Sequence, residues 1–290
     1  MLDALRRRAP YFAYLGASKV ARSLPGSVAL RVAESAGVVA SMAMPGRRAM
    51  VERHMARVGR PGAAREVFRS YARYWLESFR LPDIAAVDLD RGLVAEGMEH
   101  LEAAQAAGKG VIMALPHLGG WDFGGAWFAA QGYKATVVVE PLEPPELFDW
   151  FARFRSQLGV DVVPLGPQAG SALLRVLREG GIVGLVCDRD IGGTGVEVDF
   201  FGERTTLPSG PATLALRTGA AVLPTAVYFE GEGHRGVIRP PLDTARTGSF
   251  RDDVARVTQA LANQLEALIL RAPDQWHLMQ PNWPSDAELA

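Results

Sequence analysis

The sequence predicts an α/β protein: a central mixed, mostly parallel sheet flanked by helices, with an N-terminal helical elaboration. Three observations carry that prediction. Apolar residues recur at helical spacing up to Arg80, short β-branched runs alternate with helical segments after Leu81, and nothing in the 290 residues resembles a linker long enough to separate two domains. One structural domain is therefore expected, with residues 1–80 as a helical region and residues 81–290 as the α/β core. An apolar fraction of 48% and a charged fraction of 22% belong to a globular chain and exclude disorder or a fibrous class for the whole sequence.

Between residues 11 and 80, Pro25, Pro45 and Pro61 divide the helical pattern into about four helices, and Pro25 suits a first helical turn, where its missing N–H costs nothing. Tyr71, Tyr74, Trp75 and Phe79 fall on one helical face, for which core packing is the plain reading. Net charge is −1, yet residues 1–80 carry 15 basic side chains against Asp3, Glu34, Glu52, Glu66 and Glu77, a surplus of ten offset by a deficit of 11 in the remainder. Such asymmetry points one end of the molecule at a polyanion. Nucleic acid is disfavoured, because the basic residues share their helices with many apolar ones and no recognition module accompanies them. An anionic membrane surface is the expected partner. The apolar stretch 36–45 is far short of the roughly 20 residues that a membrane-spanning helix needs. Arg6, Arg7 and Arg8 followed by Tyr11 to Leu15 have the look of a signal peptide, but the run breaks at Ser18, Lys19 and Arg22. An amphipathic segment lying on the membrane is the better reading, which makes the protein peripheral, at the cytoplasmic face.

Candidate strands are 110–115, 135–139, 160–164, 182–187, 196–200, 222–229 and 236–239, separated by helical patterns at 121–131, 145–158, 169–179 and 211–218, with 252–271 as a long closing helix. Cys187 is the only cysteine, which excludes an internal disulfide framework and a cysteine-based zinc cluster. The sequence has no phosphate-binding Gly-x-x-x-x-Gly-Lys loop, no Gly-x-Gly-x-x-Gly after a strand, no Gly-x-Ser-x-Gly elbow and no His-Glu-x-x-His helix. Nucleotide hydrolysis, dinucleotide redox chemistry, serine lipase action and zinc proteolysis lose support accordingly. The glycine-rich stretch 191–195 precedes a strand rather than a helix and reads as a turn.

His117 stands out. It follows the apolar strand Val111 to Leu115 and leads through Gly119 and Gly120 into a helix, at the carboxyl end of a strand, where α/β sheets place ligand sites. The two glycines admit a substrate close to the backbone, and N–H groups around them are expected to face developing negative charge. Asp122, five residues on, is near enough for one helical turn to return its carboxylate to the imidazole. A carboxylate there fixes the tautomer and stabilises the imidazolium, so that the other ring nitrogen accepts a proton from a hydroxyl.

His-x-x-x-x-Asp spacing alone is weak, but the blocks around it are ordered. Glu140 ends the second strand; Phe154-Arg155-x-x-Leu158-Gly159 follows; then come Cys187-Asp188-Arg189-Asp190, Val198-Asp199-Phe200-Phe201-Gly202, Thr206-Leu207-Pro208-Ser209-Gly210-Pro211-Ala212 and the ending Trp276-His277-x-x-Gln280-Pro281-x-Trp283. Together they resemble the lysophospholipid acyltransferase superfamily, in the branch of the lipid A lauroyl and phosphatidylinositol mannoside acyltransferases, over roughly residues 95–283. The resemblance implies an acyl-CoA-dependent O-acyltransferase, monomeric, with no cofactor and no metal, acyl-CoA being a co-substrate and a membrane glycolipid the acceptor. It implies catalytic roles for His117, Asp122 and Asp188, with Asp188 slightly favoured as the direct partner of the imidazole. Substrate-binding roles fall to Glu140, Arg155, Arg189, Gly119, Gly120 and Ser209, though Glu140 and Arg155 also fit a structural ion pair. His277 reads as part of a hydrophobic clasp and is not nominated.

Departures from the mannoside branch bear on the acceptor: Gly120 stands where that branch has Asn, Pro141 where it has Arg, and Asp188 where it has Glu. Besides transfer to a phosphatidylinositol mannoside, three readings remain open: acyl transfer to another lysolipid or glycolipid, an acyl-CoA thioesterase in which water replaces the alcohol, and a non-enzymatic lipid-binding protein.

Overall fold

Proline spaces the first helices. The computed structural model describes residues 2–141 and 143–289, with side chains at 8, 9, 11–141 and 143–287. Helices α1 (Leu2–Ser23), α2 (Gly26–Ala43), α3 (Pro45–Arg57) and α4 (Ala64–Arg80) match the four expected segments. Pro45 takes the first position of α3, whereas Pro25 stands one residue ahead of α2, in extended conformation. Of the basic run near the start, the side chains of Arg6 and Arg7 lie outside the described residues, and Arg8 pairs with Glu146 at 2.6 Å. The outer faces of α1 and α2 leave Phe12, Val20, Val28, Val32, Val39 and Met42 exposed. Among the described residues no single helix is long and apolar enough to cross a membrane; α2 and α3 pass that test only together and are bent by 102°.

The core then alternates: α5 (Ala86–Arg91), β1 (Leu93–Glu96), α6 (Met98–Ala106), β2 (Val111–Leu115), α7 (Trp121–Ala130), β3 (Ala135–Val139), α8 (Pro145–Gln157), β4 (Val160–Pro164), α9 (Ala169–Arg178) and β5 (Ile182–Val186). After them come β6 (Val196–Phe200), β7 (Glu203–Leu207), α10 (Gly210–Thr218), β8 (Ala221–Glu230), β9 (Gly233–Ile238) and α11 (Phe250–Ile269). Seven strands form one sheet in the order β1-β9-β8-β2-β5-β3-β4. All its pairings are parallel except β8 with β9. It is the mixed, mostly parallel sheet expected, with helices on both faces. Alternate residues of β2 show why: Val111 and Met113 pack with Leu101, Phe128 and Leu223, whereas Ile112 and Ala114 pack with Leu173, Leu177, Leu265 and Ile269. A strand covered on both sides has no polar positions to spare, and the run 111–115 has none.

Two strands follow a different plan. Residues 196–200 leave the sheet and pair with β7 as a separate hairpin, whose register sets Phe200 opposite Glu203 and leaves Phe201-Gly202 as a two-residue loop. Both loop residues have positive φ, 52° and 74°, the geometry that matches the twist of a tight hairpin. Strand β1, which joins the sheet edge beside β9, is too short and too mixed in composition for its sequence to announce it.

Candidate active site

The sheet register itself brings the histidine and its acid together. In the parallel pair β2 and β5, Leu115 stands level with Val186, and His117 and Asp188 each follow two residues on, at the carboxyl ends. His117 Nδ1 lies 2.6 Å from Asp188 Oδ1, and the His117 backbone N–H donates to Oδ2 at 2.9 Å. Because a carboxylate only accepts, Nδ1 carries the proton in this contact and Nε2 keeps its lone pair. Asp188 is fully buried. Burial pushes its pKa up, but the adjacent His117 and the donors around it outweigh that and hold the carboxyl below its ordinary range.

Asp122 answers to other partners. On α7 its carboxylate accepts from the Tyr74 hydroxyl at 2.7 Å and from Arg155 Nε at 3.1 Å, with Ser78 Oγ at 3.4 Å. The turn of helix that was expected to return Asp122 to the imidazole points it at α4 and α8 instead. Arg155 therefore bonds Asp122 and makes no ion pair with Glu140, which is exposed at the end of β3. Burial works against the Arg155 cation, yet the Asp122 charge beside it raises its pKa. Tyr74 is held well above the ordinary phenol range by burial first and by the Asp122 charge second, so it stays a donor.

Gly119 and Gly120 are corrected more sharply. Their N–H groups, expected to meet negative charge on a substrate, donate to Gln275 O and Val227 O, each at 2.9 Å. Glycine is required there by the fold. With φ +59° at Gly119, a Cβ would sit 2.0 Å from Val227 O, and at Gly120 it would sit 2.7 Å from the His234 ring. Neither residue lines the cavity described next.

A cavity of about 950 Å³ opens at these strand ends. His117, Asp122, Glu140, Arg155, Arg189 and Ser209 all line it, and its walls are otherwise mainly apolar, among them Leu93, Met113, Trp127, Phe128, Val137 and Leu174. Pairing of β3 with β5 stops at Val137 and Gly184 although β5 runs on to Val186, and the ends of both strands, Val138 and Val139 on one side and Leu185 and Val186 on the other, line the cavity. Cys187 also borders it, but burial and the Asp188 charge raise its thiol far above a useful range, and the thiol donates to Leu185 O. That disposes of a cysteine nucleophile. His277 stays uncharged: burial first, then the neighbouring His117, push its pKa down to about 3, and Nε2 contacts Ser70 Oγ at 2.8 Å. Among the described residues no group of three or more His, Cys, Asp and Glu side chains is placed to hold a metal ion.

Two contributors escaped sequence reasoning. Tyr74 belongs to an aromatic stripe, two members of which, Trp75 and Phe79, do pack against Tyr14, Trp150 and Phe151. Trp276, in the C-terminal block, donates its indole N–H to Asp188 Oδ2 at 2.8 Å. Both sat in segments whose apolar pattern already explained them.

Comparison with known proteins adds chemistry to this geometry. Residues 2–285 match the family model described as bacterial lipid A biosynthesis acyltransferase. The chain is 41% identical to a phosphatidylinositol mannoside acyltransferase of Mycobacterium tuberculosis, over 98% of this chain and 92% of that protein. A protein of the same name from Mycolicibacterium smegmatis is 38% identical over 94% of this chain and 91% of its own length. A lipid A biosynthesis acyltransferase of Haemophilus influenzae is 29% identical over 62% of this chain and 55% of its own.

Proposed function

Since the chain belongs to the bacterial lipid A biosynthesis acyltransferase family, we propose that it moves a fatty acyl group from acyl-CoA to a sugar hydroxyl of a membrane glycolipid, a phosphatidylinositol mannoside. The observation that carries this reading is a cavity-facing histidine whose Nδ1 is bound to a buried carboxylate, in a chain about 40% identical to enzymes of that name. His117 Nε2 takes the proton of the sugar hydroxyl as its oxygen attacks the thioester carbonyl, and Asp188 stabilises the imidazolium that forms. The tetrahedral intermediate collapses by breaking the C–S bond. The imidazolium proton passes to the departing thiolate, so ester and free CoA leave and His117 is restored. Base assistance of this kind is worth about 10²–10⁴-fold, because an unassisted alcohol is a poor nucleophile at neutral pH.

The mainly apolar wall suits an acyl chain, and a cavity of about 950 Å³ is at the upper end of what ordinary ligands need. Glu140 and Arg155 are assigned to the acceptor sugar, while Arg189 and Ser209 are assigned to the donor. Incubating the purified protein with labelled acyl-CoA and a panel of membrane glycolipids, then identifying products by mass spectrometry, tests the reading. An ester on a mannose of the phosphatidylinositol mannoside is expected. Free fatty acid released at a rate that added glycolipid leaves undiminished would make the protein a thioesterase, and an ester on another lipid would correct the acceptor.

The exposed apolar faces of α1 and α2 and the basic surplus of residues 1–80 support a peripheral enzyme on the anionic cytoplasmic surface of the cell membrane. Lys19 and Arg31 are exposed beside Val20, Val28 and Val32. Converting both to Glu is expected to weaken flotation with anionic liposomes by at least roughly thirtyfold at low salt, at about 1 kcal/mol per basic side chain lost, and by less at high salt. Flotation that does not change removes the electrostatic part of the argument.

A further inference from the structure

The C-terminal block grips both halves of the pair. Residues 275–277 run antiparallel to the histidine loop, with Leu118 bridged to Trp276, Gly119 N–H donating to Gln275 O at 2.9 Å and His277 N–H donating to His117 O at 2.7 Å. From the other side of the same strap, the Asn282 side-chain amide donates to the Asp188 backbone carbonyl at 3.1 Å. Its far end is tied to α3. His54 Nδ1 contacts Leu278 O at 3.0 Å, and buried Asp286 accepts from the backbone N–H groups of Asn282 and Trp283 while pairing with Arg57 at 2.8 Å.

Within that strap Trp276 occupies a particular place. Asp188 Oδ2 accepts two hydrogen bonds, from the His117 backbone N–H at 2.9 Å and from Trp276 Nε1 at 2.8 Å, which leaves Oδ1 turned to the imidazole at 2.6 Å. Two of these three donors belong to His117, the residue to be oriented. Among the described residues, the indole is the one side chain outside the histidine loop that donates to this carboxylate. It cannot swing away: Trp276 is 1% exposed, packed among Phe200, Phe201, His54 and Trp283. A buried carboxylate keeps its charge only through such donors.

We propose that Trp276 is a positioning residue for acyl transfer, its indole N–H fixing the Asp188 carboxylate and keeping it ionised so that His117 is held as a base. The proposal rests on the mechanism above, and it assigns the C-terminal Trp-His-x-x-Gln-Pro-x-Trp block a task beyond covering the core.

Removing the indole donor makes the Asp188 charge less well shared and more attractive to a proton on His117. The imidazolium is then stabilised, and His117 deprotonates at higher pH. The decisive variant replaces Trp276 with 3-benzothienylalanine, an isostere with sulfur in place of N–H. Trp283 in the same strap donates to a backbone carbonyl, Phe200 O, at 3.1 Å, so the same replacement there is the control. The readouts are His117 titration by NMR on protein labelled with ¹⁵N at histidine, and turnover with hexadecanoyl-CoA and phosphatidylinositol mannoside in detergent micelles. At position 276 the His117 pKa should rise by roughly half to one unit, and kcat at pH 7 should fall about tenfold with the donor KM little changed. At position 283 neither should move.

A fall in kcat without a shifted His117 titration, a shifted titration with undiminished kcat, or the same shift from both replacements overturns the proposal. If neither wild type nor variant turns over, the acyl-transfer reading fails and the titration alone decides the role of Trp276. A measurement on unaltered protein guards against a variant that does not fold. The Trp276 indole N–H resonance should titrate in step with His117, and an indole resonance blind to that titration overturns the proposal as well.

Discussion

His117→Ala is expected to lower acyl transfer by about 10²–10⁴-fold with folding and membrane binding intact. The expectation rests on where the side chain stands. Its imidazole is 30% exposed and lines the cavity, so truncation removes little packing, while the backbone of residue 117 keeps its bonds to Asp188 and to His277. The variant loses the only ring nitrogen that faces the cavity from the Asp188 pair. Turnover by mass spectrometry of the esterified glycolipid, with thermal melting and liposome flotation in parallel, checks it. Near wild-type transfer from a folded His117→Ala protein would sink the mechanism.

Asp188→Asn is expected to cost about 10³–10⁴-fold in kcat although it changes only one atom. Two donors, the His117 N–H and the Trp276 indole, point at the Oδ2 position, so the asparagine carbonyl oxygen must sit there and its NH₂ must face His117 Nδ1. Nδ1 then accepts a hydrogen bond, the ring proton moves to Nε2, and the nitrogen that should act as base is occupied. Nitrogen NMR of the histidine-labelled variant should report the exchanged tautomer. An unchanged tautomer with full activity would show that the carboxylate is not needed. In the wild type, the Asp188 pKa is depressed in the folded state, so its contribution to stability is present above the unfolded value near 4 and is lost as pH falls through the lower folded value. Asp188→Asn should therefore flatten the acid side of the stability profile, which urea denaturation across pH measures.

The membership of Asp188 in the pair was legible, though not for a reason the residues alone supply. Cys187-Asp188-Arg189-Asp190 follows an apolar run that reads as a strand, as His117 does, and only the parallel register of β2 and β5 sets the two ends side by side. Asp122 misled by proximity. Five residues along a chain look close, but in a helix the side chain's direction decides what it meets, and α7 presents this one to Tyr74 and Arg155. The glycines misled through a general truth applied to the wrong neighbour, because close backbone approach was indeed needed, but by Val227 of β8 rather than by a substrate.

Local pattern was enough to determine what depends on local forces: the four proline-spaced helices, most of the strands, the apolar run 111–115 that demands cover on both faces, and the nomination of His117 at a strand end. Those follow from periodicity, turn chemistry and burial, which act within a dozen residues. Only the tertiary structure decided which acid His117 meets, that Arg155 neutralises Asp122, that residues 196–200 leave the sheet, and that a tryptophan 88 residues from Asp188 completes its hydrogen bonds. Those outcomes are set by strand order and register between distant segments, and many arrangements of the same segments would satisfy the same local pattern.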